Sequence, residues 1–295
     1  MNQTFKNYID GHRAQIEAAL QRFLPPETTA PLTGHKAMRH SMFAGGKRLR
    51  PVLCLAAAEA CGGSVDQAMP LACAAEVIHT YSLMHDDLPC MDDDDYRRGH
   101  PTCHKVYGAA IAVLAGDALQ ALAFEICAGA EPSFRFGVKE YVTELAVTAG
   151  SLHLIAGQIM DIEGEGRDLT EPDLRAIHER KTMALLVSSV RLGAMSAGAD
   201  DAQMDAITRF GKALGIAFQV IDDILDVTQT TEKLGKSAGK DIIAEKATYP
   251  SILGLEASKE EATRLTTEAY ETLKIFGENG TRLRELAEYL LNRDY

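Results

Sequence analysis

The sequence predicts an all-α fold. Alternating β-branched runs, the mark of half-buried strands, are absent, and Ala, Leu, Glu, Lys and Met dominate the periodic stretches. Turn residues punctuate those stretches at Pro25-Pro26, Gly62-Gly63, Pro89, Pro101, Pro132, Gly164, Gly166, Gly198, Gly235 and Gly239. Helices are therefore expected at roughly 3 to 23, 33 to 61, 66 to 88, 106 to 129, 136 to 163, 171 to 198, 201 to 228, 247 to 276 and 281 to 292. With no repeat, low-complexity stretch or linker between them, residues 1–295 read as one domain of about ten helices.

Local chemistry supports these elements. Thr170-Glu171-Pro172-Asp173 has the form of a helix start, with Thr170 as cap, Pro172 in the first turn and an acid three residues after the cap. The run Ala109–Ile126 comes nearest to a membrane span, but Asp117, Gln120 and Glu125 interrupt it, so a buried, Ala-rich helix is expected and no span. The 46% hydrophobic content is ample for a core. A formal net charge of −12 excludes nucleic acid as a partner, since no basic stripe is available to meet the phosphates. Basic residues form short clusters instead, which suit a small anion better than a polymer. The cysteines show no C-x-x-C pair and mostly sit in apolar runs, as reduced, buried thiols do. The first twenty residues lack the apolar segment of a secretory signal, and a cytoplasmic location is expected.

Two aspartate motifs carry the chemistry. In Asp222-Asp223-Ile224-Leu225-Asp226, the first and last acids are four apart on one helical face, within an otherwise apolar helix. Three carboxylates gathered without counter-charge repel, and one of them takes up a proton unless a multivalent cation joins them. Hard oxygen ligands in this arrangement suit Mg²⁺, which shares its carboxylates with substrate phosphates; a solvated acidic face remains the alternative for so short a motif. In MHDDLPCMDDDDYRRG, Asp86, Asp87 and Asp92 are spaced DDxxxxD, which does not return to one face of a regular helix. Pro89 removes an N–H and disfavours helical geometry at Leu88, so a local break allows Asp92 to swing back beside Asp86. Asp93, Asp94 and Asp95 read as a hydrated loop. An EF-hand is excluded, because its register would put Tyr96, Arg98 and Lys105 at ligand positions. His100, Cys103 and His104 have metal-like spacing but no fourth ligand, and no zinc site is read there.

Basic residues stand near both motifs. Gly45-Gly46-Lys47-Arg48-Leu49-Arg50 precedes a helix, Arg97-Arg98 follows the first motif, Arg180-Lys181-Thr182 lies between the two, and Gly235-Lys236 follows the second. Two Mg²⁺-type carboxylate clusters and several Lys/Arg groups on an acidic chain point to a small polyanion. Diphosphate fits, and two diphosphates fit the number of basic groups better than one.

The series GGKRLRP, HTYSLMHDDLPCMDDDDYRRGHPTCH, RKT, FQVIDDILD, GK and KATYP resembles, in order and spacing, the trans-isoprenyl diphosphate synthases, nearest to the bacterial farnesyl diphosphate synthase group. The resemblance covers nearly the whole chain. It implies the isoprenoid synthase fold, with helices around a central active-site cavity, a homodimer, and Mg²⁺-dependent condensation of isopentenyl diphosphate with allylic diphosphates. It further implies Asp86, Asp92 and Asp222 as Mg²⁺ ligands supported by Asp87, Asp223 and Asp226. Arg97, Lys181, Thr182, Gln219 and Lys236, with Lys246, correspond to the allylic diphosphate and ionisation site. Lys47, Arg50, His79 and Arg98, with the backbone of Gly46, correspond to the isopentenyl diphosphate site, and Phe218 to a group lying over the isoprenoid.

Tyr81 stands five residues before Asp86, about 7.5 Å down the helix axis. A chain anchored at the aspartates grows along that helix, so a ring at Tyr81 acts as a floor. In the resembling family an aromatic at this place accompanies C15 products, and farnesyl diphosphate is the expected product, with geranylgeranyl diphosphate as the alternative. A helical phosphohydrolase using His85-Asp86 would leave the second motif without a role. A non-catalytic synthase subunit would be expected to lose part of an aspartate motif, and a terpene cyclase to carry Asn, Ser and Glu in the second.

Overall fold

The computed structural model of the chain describes residues 3–228 and 247–291. Its elements run α1 (Gln3–Phe23), α2 (Leu32–Met42), α3 (Leu49–Ala60), α4 (Val65–Asp86), a hairpin of β1 (Tyr96–Arg97) and β2 (His100–Pro101), α5 (Cys103–Tyr107) and α6 (Ala109–Ala128). There follow α7 (Val138–Ala149), α8 (Leu154–Gly164), α9 (Glu171–His178), a π turn (Glu179–Met183), α10 (Ala184–Ser196) and α11 (Asp201–Thr228). The last elements are α12 (Tyr249–Leu253), α13 (Leu255–Thr272), a 3₁₀ segment (Leu273–Gly280) and α14 (Thr281–Leu291).

The expected all-α class holds, and the elements depart from the expected ranges where the backbone is forced to turn. The stretch 33 to 61 divides into α2 and α3 because Gly45, Gly46 and Arg48 adopt positive φ. The stretch 136 to 163 breaks at Gly150, between α7 and α8. The hairpin holds the only strands among the described residues. It pairs Tyr96 with Pro101 and Arg97 with His100, antiparallel. At Thr170 the expected start is made, with the Asp173 carboxylate accepting the Thr170 N–H at 3.0 Å.

Helix α10 forms the centre. Apart from Arg191 its residues are all buried, and it packs on α3, α11 and α4; a helix apolar on every side belongs inside. Arg191 reaches outward instead, donating to Glu144 on α7 at 2.9 Å and to the Thr208 hydroxyl on α11 at 2.7 Å. Helix α4 packs against α6, and α11 against α13. Helix α6 and the stretch 138–164 are long and apolar enough to cross a membrane by length and composition. The buried residues of α6, among them Ala112, Ala115, Leu119 and Ala123, belong to the core cluster, as in a core helix. Every cysteine is a free thiol, and only Cys90 is exposed.

Close helix packing depends on a missing side chain at Gly193, where a Cβ would run into the backbone carbonyl of Cys54 on α3. Gly193→Ala is predicted to push α10 off α3 and to cost about 1–3 kcal/mol. In a urea titration this appears as a lower midpoint at unchanged slope; an unchanged midpoint would show that the crossing relaxes freely.

Candidate active site

Helix α4 ends at Asp86, and the chain folds back at once. The N–H of Asp92 donates to the carbonyl of Asp86 at 2.9 Å, while those of Met91 and Asp93 donate to Leu88 at 2.9 and 3.2 Å. Pro89, without an N–H of its own, lies inside this turn. The DDxxxxD gap is thereby closed, and Asp92 stands beside Asp86. Burial, reinforced by Asp92 and Asp87, pushes the Asp86 carboxyl up to about 6 against the opposing pull of Lys181 and Arg97.

Asp87 has a different fate. It is buried, and Arg97 grips its Oδ1 through Nε at 2.7 Å and Nη2 at 2.6 Å. The pair ties the hairpin to the end of α4, and Arg97 Nη2 also lies 3.6 Å from Asp94.

Arg180, Lys181 and Thr182 occupy the π turn, a widened helical turn of a kind frequent at functional sites. Lys181 Nζ lies 2.6 Å from Asp161 Oδ2 on α8. Between α4, α8 and this turn opens a cavity of about 440 Å³. Asp86, Lys181, Thr182, Arg50 and His79 are among its polar groups, while Tyr81, Ile155, Ile159, Ile162 and Leu185 are among its apolar walls. Tyr81 is buried, with its ring edge-on to His85 at 5.7 Å.

The second motif occupies the last turns of α11. Asp223 accepts from Gln219 Nε2 at 3.1 Å and from the Tyr249 N–H at 3.0 Å, with His178 Nε2 at 3.4 Å. It therefore fastens α12 to α11. Asp226 is 4% exposed, and among the described residues neither of its oxygens has a hydrogen-bond partner. A buried carboxylate without donors costs several kcal/mol unless a cation reaches it. This orphaned group, with Asp222 one turn before it, fits Mg²⁺, as does the crowding of Asp86 and Asp92 at the first motif.

Opposite in sign is the group formed by Arg50, His79 and Arg98. Burial, with Arg98 beside it, brings Arg50 down to about 10, and its Nε is buried without a partner. Burial and the surrounding guanidinium groups, Arg50 foremost, hold His79 well below the usual imidazole range, so its ring is neutral. Arg98 donates to the Gly45 carbonyl, and a side chain at Gly46 would collide with its guanidinium. Lys47 is exposed nearby in sequence. Arg48 turns the other way. It is buried, 2.6 Å from Glu17 and 2.8 Å from Glu76, and also donates to the Met42 carbonyl, so it serves the fold.

Phe218 is half-buried against the core and is not among the cavity's walls. Lys236, Lys246 and the Gly235 before Lys236 lie outside the described residues. Sequence reasoning missed Asp161, which positions Lys181, and Gln158, which lines the cavity with its Nε2 buried and without a partner. The available signal was Gly157-Gln158-Ile159-Met160-Asp161, an amide and an acid three apart on one helical face.

The model of the family described as polyprenyl synthetase matches residues 33–288. The chloroplastic geranylgeranyl pyrophosphate synthase of Catharanthus roseus is 50% identical over 98% of this chain and 82% of its own length. Among solved structures, an FPP/GFPP synthase from Zymomonas mobilis has a TM-score of 0.85 at 32% identity, covering 99% of this chain and 100% of that one. A geranyltransferase from Legionella pneumophila reaches 0.87 at 30% identity, covering 99% and 98%. These relatives correct the expected cytoplasmic location, because the enzymes from Catharanthus roseus, Capsicum annuum and Arabidopsis thaliana are chloroplastic. Lack of a secretory signal does not separate cytosol from plastid.

The raised Asp86 carboxyl has a defined consequence. Below about pH 6 it carries a proton and is a poor ligand; above that value it is ionised. Mg²⁺ affinity measured by calorimetry is therefore predicted to fall as pH drops through this value, and Asp86→Asn to weaken binding and flatten that limb. An acid limb that survives unchanged in the variant would assign it to another group.

Proposed function

The chain belongs to the polyprenyl synthetase family and is a prenyltransferase of isoprenoid biosynthesis, and we propose that it condenses isopentenyl diphosphate with dimethylallyl diphosphate and its longer allylic products, as far as geranylgeranyl diphosphate. One observation carries this reading: Asp86 and Lys181, with Arg50 and His79, line one largely apolar cavity, and the second aspartate motif holds a buried carboxylate, Asp226, without a hydrogen-bond partner among the described residues. Two anionic substrates, one meeting the carboxylates through metal and the other meeting arginine directly, satisfy both.

Asp86, Asp92, Asp222 and Asp226 would hold Mg²⁺, and Asp87 and Asp223 support them from their own ion pairs and hydrogen bonds. Mg²⁺, when bound, supplies positive charge that stabilises the leaving diphosphate. Asp161 holds the Lys181 ammonium at the cavity wall, and Asp87 fixes Arg97; both cations thus face the allylic diphosphate without rearrangement. Thr182 and Gln219 join them in this assignment, as do Lys236 and Lys246. Arg50, Arg98, His79, Lys47 and the Gly46 backbone receive isopentenyl diphosphate. The allylic C–O bond breaks with its electron pair leaving on diphosphate, and the isopentenyl double bond attacks the resulting cation. A proton then passes from the adjacent carbon to a released diphosphate oxygen. No protein nucleophile is required, and the apolar walls exclude the water that would trap the cation as alcohol.

The C20 product is supported by the relatives from Catharanthus roseus and Capsicum annuum, both geranylgeranyl pyrophosphate synthases. A C15 product is favoured by the Tyr81 ring in the cavity wall. Assembly as a homodimer belongs to the same proposal, supported by the exposed apolar side chains of Leu114 on α6 and Val147 on α7.

Purified protein given isopentenyl and dimethylallyl diphosphates is predicted to form prenyl diphosphates with Mg²⁺ and none with excess chelator, as read by mass of the dephosphorylated alcohols. C20 alcohol supports the leading reading. C15 from the parent chain, shifting to C20 in Tyr81→Ala, supports the floor. Absence of elongation with Mg²⁺ would overturn the activity.

A further inference from the structure

The acidic loop after the first motif holds a set of side chains that the prenyl-transfer site does not use. Asp93, Asp95 and His104 each offer one ligand atom, and these atoms lie within 4.8 Å of one another. Asp93 and Asp95 are exposed, as a solvated loop would have them; the imidazole is different. His104 is 8% exposed, and its Nε2 is buried with no hydrogen-bond partner. That nitrogen faces Asp93 Oδ1 at 3.9 Å.

The neighbouring hydrogen bonds decide what Nε2 presents. The buried Thr102 hydroxyl has one proton and gives it to the Asp94 carbonyl at 2.7 Å. Its oxygen also lies 3.1 Å from His104 Nδ1, and it can only accept there, so Nδ1 carries the hydrogen. In the neutral ring the Nε2 lone pair is then directed at a carboxylate, acceptor against acceptor. A separation of 3.9 Å is too long for a hydrogen bond. It leaves room for an ion, which would draw the two atoms slightly together to sit about 2.0–2.2 Å from each. An Nδ1–H held by a fixed oxygen is also how metal-bound histidines are oriented. Lys105 Nζ lies 2.7 Å from Asp95 Oδ1, so an ion would share Asp95 with that ammonium. His100 and Cys103 take no part: Cys103 Sγ points toward the Ala37 carbonyl at 4.0 Å.

We propose that Asp93, Asp95 and His104 form a second metal site, separate from the Mg²⁺ carboxylates, for an imidazole-binding divalent ion of the Zn²⁺ type. One nitrogen among the donors favours such an ion over Mg²⁺, and three protein ligands leave a position for water. The ion joins the start of α5 to the residue after Asp92, and so braces the hairpin that carries Arg97 and Arg98.

The test is equilibrium dialysis against Zn²⁺ in excess Mg²⁺, with circular dichroism to establish folding. The variants are Asp93→Asn, His104→Gln and a triple variant Asp86→Asn, Asp222→Asn, Asp226→Asn. The parent and triple variants are expected to retain a Zn²⁺ ion that Asp93→Asn and His104→Gln bind at least about tenfold more weakly. With Co²⁺ as probe, a visible band from nitrogen ligation should appear in the parent and vanish in His104→Gln. If His104→Gln does not fold, the exposed Asp93→Asn decides. Equal retention by the parent and Asp93→Asn, or loss confined to the triple variant, would overturn the site and leave His104 and Asp93 as an ordinary ion pair.

Discussion

Charge that the chain itself leaves unmatched is the constraint around which this molecule is built. A carboxylate or guanidinium withdrawn from water costs several kcal/mol unless an opposite charge or a full set of hydrogen bonds replaces the solvent. The chain accepts that cost at Asp226, whose buried oxygens have no partner, and again at Arg50, whose Nε has none. A fold that leaves the Asp226 carboxylate and the Arg50 Nε without hydrogen-bond partners among the described residues offers places for ions of opposite kind.

Elsewhere the chain matches its charges with care, and those matches hold the site in place. Arg97 is locked to Asp87, Lys181 to Asp161, and Arg48 to Glu17 and Glu76, each pair joining different elements. At Arg48–Glu76, buried on both sides, removing one partner strands the other at a cost of about 3–5 kcal/mol, and the more exposed pairs are worth less. These pairs therefore act as fasteners: the hairpin to α4, the π turn to α8, and the Gly45-Gly46 turn to α1 and α4. On the proposed function, Lys181 and Arg97 would need little reorganisation when a diphosphate arrives, which is where electrostatic catalysis gains its advantage.

How far the site was legible in the sequence follows from which forces are local. Helix α1 could be read to its end at Phe23 and α11 from its start at Asp201, since strong periodicity and clear breaks bound them there. The return of Asp92 to Asp86 was legible from Pro89, a local steric effect. Tertiary fates were not. Arg48 and Arg50 stand two apart in one basic run, yet a left-handed turn at Arg48 sends it to Glu17 and the buried Glu76 while Arg50 faces the cavity. Asp223 and Asp226 share a motif, but only the approach of Tyr249 shows that the first is engaged. His104 looked like part of a set with His100 and Cys103 by spacing, and only the folded loop brings it to Asp93 and Asp95. Tyr81 lines the cavity that Asp86 also lines, whereas its consequence for product length depends on the whole cavity.

Calorimetric titration with inorganic diphosphate tests the central claim most directly, because it asks whether the two unmatched charges bind two anions by different means. Without Mg²⁺ the account predicts one diphosphate bound per chain, lost in Arg50→Met and kept in Asp226→Asn. With Mg²⁺ it predicts a second, lost in Asp226→Asn. A single class of site, indifferent to Mg²⁺ and to Asp226, would contradict the account.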